Sequence, residues 1–257
     1  MSEEDLYSRF ANECIAIAEE KRTNWKHHPN VKYMLEHESH ACAAQYVLQI
    51  KKTGLLSDEQ IQRVASLNDA VGGAKKEDFG NGLACSPSSL RYIMHAVDLV
   101  LLLKKKGINV FQCIEIGGGY GGLALVTHCV AELLGIEIQQ YLIYDLKEVT
   151  KLQQFYLQQH EKTLFNRRIF WGNTETCGAD ANNLLLPNVH VALVSHYCFS
   201  EIPEFLRQKY AQNLFPLAET VYMRWNWGSK DCIPKDWTIE PEVPDTSRGN
   251  GNTVVKK

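Results

Sequence analysis

Glu115 stands two residues ahead of a glycine run, Gly117-Gly118-Gly119-Tyr120-Gly121-Gly122, at the end of the apolar stretch Val-Phe-Gln-Cys-Ile that begins at Val110. The segment 123–134, which reads as a helix, follows. The order reads as strand, tight turn and helix, the opening of a nucleotide-binding α/β domain. Glycines let the backbone turn sharply and approach a ligand closely. The start of the next helix offers unpaired N–H groups and a positive dipole end. The next strand candidate, 136–144, runs into Asp145. A carboxylate at that position can accept from both hydroxyls of a ribose.

Gly117, Gly119 and Gly122 satisfy the dinucleotide pattern G-x-G-x-x-G. Glu115 tilts the choice toward S-adenosylmethionine. Its carboxylate can face the cationic amino group of a methionine moiety and would be poorly placed beside a pyrophosphate. Asp145 supports an adenosine ribose without choosing between this cofactor and NAD. A glycine turn with no ligand is the purely structural alternative.

The elements that must hold these residues alternate from Asn109 onward. Strands are predicted at 109–116, 136–144, 166–171, 189–196 and 219–226, with helices at 121–134, 147–160 and 203–213. Two short strands are predicted at 236–240 and 252–256. This is a doubly wound α/β pattern, whose ligands bind beyond the C-terminal strand ends. Those ends carry Glu115, Asp145, Trp171 to Asn173, Ser195 to Tyr197, and Trp225 to Trp227. The first 106 residues read as helical instead. Ser57-Asp-Glu-Gln60 has the form of a capping box. The segment 69–89, rich in Gly, Asn, Ser and Lys, reads as a loop that can serve as a lid. The organisation expected is a helical region, 1–106, covering the acceptor side of a cofactor domain, 107–257. The tail 242–252 is expected to help wall the acceptor pocket.

Several segments together resemble the sugar O-methyltransferase family of S-adenosylmethionine-dependent enzymes. Glu115-Ile-Gly-Gly-Gly-Tyr-Gly-Gly-Leu-Ala124 resembles its first motif. Tyr144-Asp-Leu-Lys-Glu-Val149, with Leu152-Gln153 and Tyr156-Leu157, is similar to its Asp-Leu-Pro-Glu and Leu-Gln…Tyr-Leu stretch, with Lys147 where the family favours proline. Val194-Ser-His-Tyr-Cys-Phe-Ser-Glu-Ile202, followed by Gln208-Lys-Tyr210, resembles Ile-Ser-Asn-Tyr-Ala-Phe-Ser-Glu-Leu and Gln-x-Tyr, with His196 in place of asparagine. Glu242-Val-Pro-Asp-Thr246, with Asn252 beyond, resembles a Glu-x-Pro-x-Thr ending. Trp25…Glu36-His37 and Gly80-Asn81…Leu90-Arg91-Tyr92 match more loosely. The resemblance implies a Rossmann-like class I methyltransferase sheet with an N-terminal helical extension. It implies S-adenosyl-L-methionine as cofactor and a small-molecule or glycan acceptor. The sugar is the family's and is not read from the residues. The cofactor-side candidates are then Glu115, Gly117, Gly118, Gly119, Tyr120, Asp145, Leu146, Asn173 and Ser195.

Methyl transfer to a hydroxyl is an in-line displacement that needs alignment and a base. His196 is the first candidate base, since imidazole titrates near neutrality. A positioning role, suggested by the family's asparagine, is its alternative. Glu201 is the second candidate, with capping of the following helix as the alternative. Tyr197, Asn226, Glu242 and Thr246 are acceptor-side candidates. The function expected is an O-methyltransferase acting on a sugar or glycoside. An NAD-dependent oxidoreductase and a non-catalytic methyltransferase-like binding module stay open beside it.

Composition narrows the partners. The 257 residues are 45% hydrophobic and carry a net charge of −3, with a basic cluster at Lys104-Lys105-Lys106. Nucleic acid is therefore not expected as the partner. The longest apolar run, 99–103, is too short to span a bilayer, and the acidic N-terminus does not read as a signal peptide. Together with eight scattered cysteines and no C-x-x-C pair, these point to a reducing, cytoplasmic setting. His37 and His40, with His27-His28 nearby, lack placed carboxylates, so no metal is expected. The sequence leaves the oligomeric state open.

Overall fold

The computed structural model describes residues 3–164, 167–246 and 251–257. They fall into two compact units. The first gathers Met1–Val100, Gly119–Leu134 and Leu146–Phe165, and the second Leu101–Gly118, Gly135–Asp145 and Asn166–Lys257.

The first unit is helical. Its elements are α1 (Glu3–Glu20), α2 (Pro29–Leu35), α3 (His40–Thr53), α4 (Asp58–Asp69), α5 (Pro87–Lys105) up to Val100, α6 (Gly122–Leu133) and α7 (Lys147–Gln158). Helix α1 packs on α7, and α4 on α6. Local chemistry sets the ends. Ser57 and Gln60 form the capping box at the start of α4, each side chain meeting the other's backbone N–H. Helix α3 stops at Gly54, which adopts the left-handed conformation that glycine tolerates.

The core of this unit is aromatic. Tyr120 meets Trp25, Tyr92 and Tyr156 edge-on, at centroid distances of 5.1, 5.7 and 4.9 Å. Into this cluster runs the buried Lys26. Its ammonium donates to the Asn68 carbonyl at 2.8 Å and stands 4.5 Å over the Tyr120 ring.

The segment 69–89 is more ordered than its composition suggests. Asp69 closes α4, a small hairpin pairs β1 (Glu77–Asp78) with β2 (Ala84–Cys85), and α5 begins at Pro87. The buried Asp69 carboxylate accepts from the Ser86 N–H and from the Ser86 and Ser89 hydroxyls, each at 2.7 Å. These bonds fasten the two ends of the segment together. Its serines are partners for a buried charge, which composition cannot reveal.

The second unit is built on one seven-stranded sheet of order β5-β4-β3-β6-β7-β9-β8. The strands are β3 (Val110–Ile116), β4 (Glu137–Tyr144), β5 (Ile169–Trp171), β6 (His190–His196), β7 (Thr220–Trp225), β8 (Thr238–Pro241) and β9 (Thr253–Lys256). All lie where the pattern predicts. β5 is shorter than expected, and Asn166 in its expected span lies outside the described residues. Strands β3 to β7 are parallel, and β9 runs antiparallel between β7 and β8. This is a Rossmann-like, mostly parallel sheet, as expected, and a helical region precedes it in sequence. The chain leaves β3 toward β4 on one side and returns to β6 on the other. The crevice at that reversal is where such sheets take ligands.

Alternation along the strands divides the sheet's two faces. Ile114, Ile116, Leu193, Val221, Met223 and Trp225 point into a core completed by Tyr210, Ala211 and Leu214 of α10 (Glu204–Leu214). Cys113, Glu115, Tyr141, Val194, His196, Tyr222 and Arg224 lie on the other face. Helices α8 (Ala181–Leu184) and α9 (Cys198–Glu201) are single turns in the connections.

Ser57→Ala removes the hydroxyl of the capping box. It should lower stability by about 0.5–2 kcal/mol, read from denaturant midpoints. An unchanged midpoint would mean the cap carries no net stability.

Candidate functional site

Four parallel strands end side by side and are laced together there. Gly117 N–H donates to the Tyr144 carbonyl at 2.8 Å, joining β3 to β4. The Ser195 hydroxyl donates to the Ile116 carbonyl at 2.7 Å, joining β6 to β3, and accepts from the Phe199 N–H at 3.1 Å. Tyr197 N–H donates to the Arg224 carbonyl at 2.8 Å, joining β6 to β7.

Gly117 has a φ of +78°, and a Cβ there would stand 2.2 Å from Cys198 Cβ and 2.3 Å from its sulfur. Any side chain at 117 would therefore displace the first turn of α9. This glycine serves the close approach of two chain segments as well as the turn.

Glu115 is 2% exposed. Its carboxyl accepts from the Tyr141 hydroxyl at 3.0 Å, and no cation pairs with it among the described residues. Burial raises its pKa to about 8. The Tyr141 bond opposes the shift, and the Asp145 charge at the end of β4 adds to it. A carboxyl held this way is stabilised in its charged form by any cationic group brought to the strand ends. Asp145 is half-buried at the next strand end, as a ribose partner must be. These residues fit a ligand with a cationic amino-acid end and a ribose.

The β5 end is organised by Asp180. It accepts from the Tyr144 hydroxyl at 2.8 Å, the Thr176 hydroxyl at 2.6 Å and the Asn173 N–H at 3.1 Å. Asn173 is exposed there, its side-chain oxygen accepting from the Glu175 N–H at 3.0 Å.

At the β6 end, the His196 ring lies 5.8 Å from that of Tyr222. Tyr197 follows with a φ of +70°, a conformation that costs energy in a bulky residue. Its hydroxyl donates to Glu242 Oε1 at 2.5 Å. Arg224 Nη1 reaches the same oxygen at 2.6 Å, while Nη2 donates to the Tyr222 hydroxyl at 3.1 Å. Glu242 Oε2 accepts from the Thr246 N–H at 3.2 Å, the Thr246 hydroxyl at 2.6 Å and the Asn252 amide at 3.1 Å. Burial would raise the Glu242 pKa, but the Arg224 charge and these donors outweigh it and hold the carboxyl below its usual value. Burial also pushes the Tyr197 phenol up. In the adjoining loop, Glu201 accepts from the Asn226 amide at 2.5 Å, and Asn226 in turn meets the Ser200 hydroxyl. Among the described residues no side chain caps α10, whose N-cap residue is Pro203.

Thus Glu115, Gly117, Gly118, Asp145, Asn173, Ser195, His196, Tyr197, Glu201, Asn226, Glu242 and Thr246 all lie in the second unit, at its strand ends or in the loops and tail beyond them. Gly119, Tyr120 and Leu146 belong to the first. Tyr120 is wholly buried in the aromatic core, its hydroxyl accepting from the Asn68 amide at 3.1 Å. Leu146 is exposed where α7 begins. In the tail, residues 247–250 lie outside the described residues.

Sequence reading missed Tyr141, Cys198 and Arg224. Arg224 had a signal, a lone charge inside the apolar run Val221-Tyr-Met-Arg-Trp225. Tyr141 and Cys198 had none, since each matters through a partner distant in sequence.

Among the described residues no cluster of His, Cys, Asp and Glu is placed to hold a metal. His40 instead pairs with Glu77 at 3.0 Å and stacks on Phe79. No described helix is long and apolar enough to cross a membrane.

No family model matches the chain, and no curated protein matches it. Solved structures are similar in fold alone, and distantly. The methyltransferase domain of the bacterial CtHen1-CN protein is 14% identical, with 63% of this chain and 95% of that one covered and a TM-score of 0.44. An O-methyltransferase family protein from Burkholderia thailandensis is 10% identical over 64% of this chain and 56% of its own, with a TM-score of 0.40. An S-adenosylmethionine-dependent methyltransferase from Clostridium acetobutylicum is 10% identical over 51% and 49%, with a TM-score of 0.37.

The Glu115 shift fixes a pH dependence. Its folded pKa, about 8, lies above the usual 4.5, so the folded state keeps a proton the unfolded chain has lost. That contribution to stability is full below 4.5 and is lost as pH rises toward 8. Glu115→Gln, which needs no proton, should flatten this part of the profile. Thermal melts of both proteins from pH 4.5 to 8.5 measure it, and parallel profiles would refute the assignment.

Proposed function

We propose that this chain is an S-adenosylmethionine-dependent methyltransferase that methylates a hydroxyl of a sugar or glycoside. One observation carries the cofactor: the buried Glu115, with Tyr141 as its one hydrogen-bond donor among the described residues, immediately ahead of a glycine turn and beside Asp145. The O-methylation and the sugar rest on the motif resemblance across 114–210 and on the hydroxyl chemistry available around His196.

When bound, the cofactor supplies a methyl group on a cationic sulfur. The chain's residues do the rest. Glu115 and the turn at Gly117, Gly118 and Gly119 take the amino-acid end, and Asp145 takes the ribose hydroxyls. Ser195 keeps the turn in place through the Ile116 carbonyl, and Tyr120 anchors its far side in the aromatic core. Leu146 and Asn173 border the adenosine end.

His196 accepts the acceptor's hydroxyl proton at Nδ1 or Nε2, or orients that hydroxyl. Glu201 is the reserve base, tied to Asn226. Tyr197 and Asn226 flank the acceptor. Glu242 and Thr246 serve it indirectly, by fixing the Tyr197 phenol.

Calorimetry with S-adenosylmethionine and with NAD tests the cofactor. S-adenosylmethionine should bind, and Glu115→Ala should weaken it roughly tenfold or more, the loss of a charge-assisted contact. Binding of NAD in its place would replace this reading with an oxidoreductase.

A panel of glycoside acceptors tests the chemistry. His196→Ala should lower kcat by about 10²–10⁴-fold if the ring is a base, with cofactor affinity unchanged. His196→Asn should then be nearly as impaired. An asparagine variant with the wild-type rate and pH profile would assign His196 to positioning and pass the base role to Glu201. Cofactor binding without turnover of any acceptor would favour a binding module.

A further inference from the structure

Glu36 ends α2, where its backbone N–H donates to the Lys32 carbonyl at 3.2 Å. The residue before it lies against the glycine turn. A Cβ on Gly119 would stand 3.2 Å from Leu35 Cδ2 and 3.9 Å from the Tyr92 hydroxyl. The next turn residues are as crowded, since a Cβ on Gly122 would fall 2.6 Å from the Tyr120 ring and 2.7 Å from that of Tyr92. The end of α2 is thus part of the turn's wall, within the first unit.

The Glu36 carboxylate differs from its neighbours. Asp69 takes three donors at 2.7 Å, and Glu38 takes Arg91 at 2.9 Å. Glu36 Oε1 is shielded from solvent, yet accepts no hydrogen bond among the described residues. Lys26 does not fill it. That ammonium is spent on the Asn68 carbonyl and on the rings of Trp25, Tyr120 and Tyr156, and makes no ion pair among the described residues. The two charges are still near enough to matter. Burial lowers the Lys26 pKa, with Glu36 opposing the shift, and the Glu36 charge adds to the rise that burial imposes on Tyr92 and Tyr120. A desolvated carboxylate oxygen without a donor is costly. Beside a turn built for close backbone approach, the missing donor belongs to a ligand.

We propose that Glu36 is a further binding residue, accepting the ammonium group of the amino-acid end of the ligand held at the glycine turn. The inference rests on the cofactor reading above.

Three ligands separate the contributions. S-adenosylmethionine and S-adenosylhomocysteine both carry the ammonium, and 5′-methylthioadenosine lacks the amino-acid end. Calorimetry with wild type and Glu36→Gln should show both ammonium ligands weakened roughly tenfold or more, and methylthioadenosine unchanged. Equal loss for all three would make Glu36 only a structural counter-charge to Lys26 and overturn the proposal. No loss for any would overturn it too. Failure of all three to bind wild type would instead remove the cofactor reading, and this one with it. If Glu36→Gln does not fold, Glu36→Asp keeps the charge near Lys26 and withdraws the oxygens by one methylene, and the same three titrations decide.

Discussion

Position 117 has no room for a side chain, and the candidate site depends on that. With a hydrogen in place of Cβ, the strand end at Ile116 and the first turn of α9 come into contact through Cys198. Ser195 can then bridge to the Ile116 carbonyl while also receiving the Phe199 N–H. One steric permission brings the ends of β3, β4 and β6 into a single rim. The residues able to do chemistry stand on that rim because the backbone beneath them can close.

The second theme is how charge is kept away from water. Arg224 and Glu242 show the complete solution. Both are buried, and every oxygen of the carboxylate is matched by a donor, so the desolvation cost is offset by several short bonds. Lys26 shows a second solution, a carbonyl and three ring faces around an ammonium. Glu115 and Glu36 are the incomplete cases. One has a single phenol as partner, and the other leaves an oxygen unmatched. The buried Asp69 is saturated in the same way, by the Ser86 and Ser89 donors.

Most of the sheet was legible in the sequence, because parallel strands between helices are continuous apolar runs and helices carry their own period. The strand ends were legible too, since Glu115, Asp145 and Ser195 each close such a run. Their contacts were not. The segment 69–89 reads as an open loop because it is rich in Gly, Asn, Ser and Lys, yet Ser86 and Ser89 bind Asp69 across the segment. Tyr120 reads as a turn residue facing a ligand, but its ring is drawn into a core assembled from Trp25, Tyr92 and Tyr156. Glu242 reads as a pocket carboxylate, and its partner Arg224 lies 18 residues earlier. Partners so separated leave no local periodicity, so only the folded chain reveals them.

The tie between Tyr197 and Glu242 spans 45 residues of sequence. A ribosome makes a chain in one direction, so residues 242–252 emerge after every other member of the candidate site. The turn and the ends of β3 and β4 can form while translation is still under way. The Tyr197 phenol must wait for the tail, and until then the bent backbone at 197 has no Glu242 to hold its side chain. Birth order therefore separates the two halves of the site in time. The ends of β3 and β4 can close early, and the Tyr197 phenol is locked only when residues 242–252 arrive.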